Sequence, residues 1–113
     1  MTITELQADL APEALDALQL AKSAFLEAQS ERCGYLRVAF EPLPESGELA
    51  VDARFTLKPL REWHRVDTTI RLSDLAGSDP RPAVRRAFAD LADGVATVSI
   101  AHLFRPMGEA RVD

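Results

Sequence analysis

The sequence predicts an α+β fold, an antiparallel four-stranded sheet with two helices on one face, in the order α-β-β-β-α-β. Three observations predict it. Apolar and polar residues alternate through three successive segments between Tyr35 and Leu72, and apolar residues recur at spacings of three and four on either side of that block. No linker-like stretch divides the chain, so residues 1–113 form one domain, a length that buries about two-thirds of the unfolded surface around a single core.

Thr4 and Gln7 have capping-box spacing and suggest a short turn before Pro12. The first strong element runs from about Pro12 to Arg32. Ala14, Ala17, Ala21, Ala24 and Ala28, with Leu18, Leu20 and Phe25, make one smooth seam suited to lying flat on a sheet, and Gly34 reads as the helix terminator. Leu15 and Leu26 fall off that arc.

Leu36, Val38 and Phe40 alternate with Tyr35, Arg37, Ala39 and Glu41, the pattern of a half-buried strand. Leu43 to Gly47 supply a turn, and Leu49, Val51, Ala53, Phe55 and Leu57 then alternate with Ala50, Asp52, Arg54, Thr56 and Lys58. After the break at Pro59, a third strand sets His64, Val66, Thr68, Ile70 and Leu72 against Arg65, Asp67, Thr69 and Arg71.

Ser78 or Asp79 can cap a second helix opened by Pro80 and Pro82, with Val84, Ala87, Phe88 and Leu91 as its buried stripe and Gly94 as its end. A last strand is expected from Val95 to Phe104, with Val98 and Ile100 inward, followed by a frayed tail at 106–113. The open sheet face then carries Tyr35, Arg37, Glu41, Asp52, Arg54, Thr56, Lys58, Arg65, Asp67, Thr69, Arg71, Thr97 and Ser99.

The net charge of −5 argues against nucleic acid as a partner, because phosphate neutralisation needs a surplus of Lys and Arg. Residues 1–53 hold ten acids against three bases, and the remainder eight acids against ten bases. No apolar run reaches the length of a membrane span, so no membrane is expected, and a single cysteine, Cys33, suits a reducing cytoplasmic setting. The five glycines stand singly, which excludes a phosphate-cradling loop. His64, His102 and Cys33 lack metal-site spacing, so neither a metal nor a cofactor is expected. Cys33, near a helix C-terminus, lacks the dipole that activates a thiol. No nucleophile, base and orienting group stand in a recognisable order, so the chain reads as a non-enzyme.

The expected function is a non-catalytic protein-binding module of inhibitor or adaptor type. Its candidate surface is Arg37, Arg54, Lys58, Trp63, Arg65 and Arg71, a locally positive face in an acidic chain; the rival surface is Glu13, Asp16 and Glu27 on the first helix. The bland alternative is a sheet face kept in water by paired charges. The partner is expected to be another protein, with a homodimer as a further expectation from the apolar flanks of the first helix. Three other functions stand beside this one: a phage- or mobile-element-encoded, anti-CRISPR-like inhibitor of bacterial defence; a secretion-type chaperone, similar in element order; and a small-ligand binder or enzyme.

Overall fold

The computed structural model describes the backbone of residues 10–112 and the side chains of residues 10–101. The turn expected at Thr4 to Gln7 lies outside the described residues, and at 106–112 only backbone is described. The elements are α1 (Pro12–Ala28), β1 (Cys33–Leu43), β2 (Glu48–Leu57), β3 (Trp63–Arg71), the short α2 (Leu72–Leu75) and α3 (Arg81–Val112).

Among the described residues the sheet has three antiparallel strands in the order β1-β2-β3, not four. The segment from Val95 onward, expected as a strand, continues α3 without a break. Its Val, Thr and Ile content suits a strand locally, but tertiary packing overrides that preference. Val95 is fully buried one turn beyond Leu91, Val98 packs partly against the core, and Ile100 is exposed rather than inward. Gly94 is no terminator. A Cβ there would meet Val66 Cγ1 at 2.9 Å, so glycine lets the helix pass close over β3. Thr97 and Ser99 therefore belong to a helix and not to the open sheet face, and Thr97 Oγ1 donates to the Asp93 carbonyl one turn back (2.8 Å).

The strand parities hold. Leu49, Val51, Ala53, Phe55 and Leu57 of the central strand are all buried on the inner face, alongside Phe40 of β1 and Ile70 of β3. Helices α1 and α3 cover that face. Phe88 of α3 meets Phe25 of α1 edge-on at 5.7 Å and Phe40 of β1 at 6.4 Å, tying three elements into one core. The first helix lies more along α3 than on the sheet, contrary to the expected flat seam. Ala14, Ala17, Leu18 and Phe25 are buried, whereas Ala24, Ala28 and Leu20 are exposed.

Asp79 lies one residue before the Pro80 N-cap position, and its Oδ1 accepts the Arg81 N–H (3.2 Å) and the Arg81 Nε–H (2.8 Å) at the start of the long helix. The first helix ends earlier than expected, at Ala28, with Gln29 as its C-cap. Gly34 already lies inside β1, where the register to β2 shifts between Cys33 and Leu36. A Cβ on Gly34 would sit 3.0 Å from Thr56 Oγ1, so this glycine accommodates the bulge. Gly47, at φ 68°, is the left-handed residue that closes the β1–β2 turn.

Candidate functional site

Alternation from Leu36 sets Tyr35 on the outer face of the sheet, where its N–H donates to Thr56 Oγ1 (3.0 Å); the bulge turns Cys33 inward opposite Leu57. Trp63 stands opposite Thr56 on β3. The two rings, one from each edge strand, stack across the central strand with centroids 6.0 Å apart and planes 28° from parallel. Thr56, expected as an open-face residue, is consequently buried at 3% exposure, while Tyr35 and Trp63 stay 69% and 53% exposed. Lys58, Leu60 and Arg61 flank the pair and with it border a groove of about 560 Å³ at this end of the sheet. Lys58 Nζ also donates to the Ser30 carbonyl (3.1 Å), which fixes that side chain over the turn before β1.

Two residues along each strand lies a row of arginines, Arg37 opposite Arg54 and Arg54 opposite Arg65. Three like charges side by side repel one another. The next row answers them: Asp52 accepts from Arg54 Nε (3.2 Å) and from Arg65 Nε, and Arg65 Nη2 lies 3.5 Å from Asp67. Asp52, first by hydrogen bond and then by charge, holds the Arg65 guanidinium further above its already high ordinary pKa. Arg37 makes no ion pair among the described residues. Ala39, opposite Asp52 in the acidic row, and Ala50 beyond it help form a shallow depression, about 610 Å³, bordered by Arg54, Arg65, Asp67 and Thr69.

The sequence-assigned residues thus divide. Arg37, Arg54 and Arg65 form one row, and Trp63 and Lys58 belong to the adjacent aromatic end. Arg71 does not join them, because it pairs with Glu48 six residues from Arg65, about 20 Å along the strand. On the rival surface Glu13 and Asp16 border a groove between α1 and the start of α3, whereas Glu27 lies eleven residues beyond Asp16, about 16 Å along the helix. Outward parity of Tyr35 and Trp63 is readable from alternation; their stacking is not, since it depends on the strand register that sets Leu36 opposite Phe55 and Thr56 opposite Trp63.

His64, on the inner parity as expected, packs its ring 5.5 Å from Phe55 and lies 3.6 Å from the Glu62 carboxylate. The His102 side chain lies outside the described residues. Burial pushes the Cys33 thiol pKa up, against the opposing pull of Arg32 and Lys58. Among the described residues no group of three or more His, Cys, Asp and Glu side chains is placed to hold a metal ion, and no helix is long and apolar enough to cross a membrane.

The fold and this face define an α+β protein with an open three-stranded antiparallel sheet. No family model matches the chain, and neither does any curated protein or solved structure.

Proposed function

We propose that the chain is a non-catalytic protein-binding module, of inhibitor or adaptor type, that docks its partner on the open sheet face. The carrying observation is the exposed Tyr35–Trp63 stack beside the arginine row. Tyr, Trp and Arg are the side chains that dominate binding energy at protein interfaces, because each offers large contact area with a polar handle. Here they share one rigid sheet. Pre-organisation by the stack and by Asp52 lowers the ordering cost of association. Arg37, with no acidic neighbour bound to it among the described residues, is available for a bidentate contact to a partner carboxylate.

The chaperone alternative rested on an order of helix, three strands, helix and strand. The structure lacks that last strand, so this support falls away.

The test is affinity capture from the native host with the wild-type chain, a Trp63→Ala/Arg37→Glu variant and a Glu13→Lys/Asp16→Lys variant. The proposal expects one protein retained by the wild type and the helix variant and lost by the sheet variant. Loss from the helix variant alone would transfer the function to α1.

A further inference from the structure

On the opposite side of the molecule from the sheet face, α1 and the first turns of α3 border a groove of about 570 Å³. Its floor is apolar, from Ala17, Ala21 and Val84, and Leu20 stands at its lip with 72% of its surface exposed. The two walls carry opposite charge. Glu13 and Asp16 line the α1 side, Arg81 and Arg85 the α3 side. Arg81 is held by Asp79 (2.8 Å), whereas Glu13, Asp16 and Arg85 make no ion pair among the described residues.

We infer that this groove is a two-fold interface between two copies of this chain. The occupant it fits is an apolar knob with an acid on one flank and a base on the other, in the reverse order to the walls. A second copy presents such a set: Leu20 with Glu13 and Asp16 on the same helix, and Arg81 and Arg85 on the far wall of its groove. A two-fold axis turns Leu20 of each copy into the groove of the other and sets Asp16 of one copy against Arg85 of its partner, twice. A surface bearing one sign of charge would repel its own copy; a bipolar one is complementary to itself. The surface differs from the one sequence reasoning favoured for a dimer, since Leu15 packs partly against the core and Leu20 is the exposed leucine of α1.

Sedimentation of the full chain from about 1 μM to about 1 mM, the span of ordinary weak affinities, tests this. The wild type is expected to pass from one-chain to two-chain mass. Leu20→Lys, Asp16→Arg and Arg85→Glu should each raise the midpoint concentration at least about tenfold, with circular dichroism unchanged because all three sites are on the surface. An equimolar mixture of the Asp16→Arg chain and the Arg85→Glu chain should recover association, since both cross-pairs are then of opposite sign. A one-chain mass throughout, a two-chain mass that no variant weakens, or a mixture that fails to recover overturns the inference.

Discussion

Gly94 of α3 and Val66 of β3 approach so closely that any Cβ at position 94 would lie 2.9 Å from Val66 Cγ1. In an open helix interior, Gly→Ala stabilises by about 1 kcal/mol. Here the added methyl meets a branched side chain that is stiff at χ1, and overpacking of this kind costs about 1–3 kcal/mol. Gly94→Ala is therefore expected to lower the melting temperature. In a Val66→Ala background, where Cγ1 is gone, most of that loss should disappear. A stabilised single variant would mean that the helix does not cross β3 at this point.

The Phe88 ring sits between Phe25 and Phe40, and Phe88→Ala removes both edge contacts together with its buried area. The expected cost is about 3–5 kcal/mol in denaturant unfolding, similar to that of Phe55→Ala in the central strand. A double-mutant cycle between Phe25 and Phe88 should give a coupling of roughly 0.5–1.5 kcal/mol. Additive losses would show that the rings do not touch in solution.

The strands and their faces are legible because every second residue from Leu49 to Leu57 is apolar and buried, and one buried face leaves a single permissible register. The last element was misread at Gly94, where a residue that usually ends helices serves a close tertiary approach instead. That distinction is invisible without Val66. Leu20 was grouped with the buried seam because it is a leucine near Ala17 and Ala21, yet it faces out beside the groove. For the candidate site, parity found the arginines and Trp63, but not which of them meet. Arg71 shares parity with Arg65 and still lies three rows away, and Thr56 is covered by two rings whose meeting depends on the register between the strands.

Asp79 tests the start of α3 by titration. The Arg81 side chain, and after it the Arg81 backbone N–H, hold this carboxyl below its ordinary value of 3.8. Its folded-state pKa lies below the unfolded one, so the stability it contributes is fully present above the unfolded value and is lost as pH falls through the folded value. Carboxyl-detected NMR should therefore place its midpoint below 3.8, and Arg81→Gln should raise it. A midpoint at or above the ordinary value would remove the Asp79–Arg81 pair from the structure in solution.

The last prediction separates the arginine row from the rest of the positive face. Arg37 stands in line with Arg54 and Arg65, while Arg71 shares their outward parity at the other end of β3, about 20 Å from Arg65. If general positive charge steers the partner, reversing either residue removes the same charge, and both variants should lose association rate and salt dependence alike. If the partner seats on the row beside Tyr35 and Trp63, Arg37→Glu should speed dissociation at least about tenfold, whereas Arg71→Glu should change mainly the association rate at low salt. Both side chains are exposed, so neither substitution should shift stability by more than about 0.5 kcal/mol. Surface plasmon resonance with the captured partner at two ionic strengths reads both rates. Equal effects from Arg37 and Arg71 would leave the row no special part in recognition.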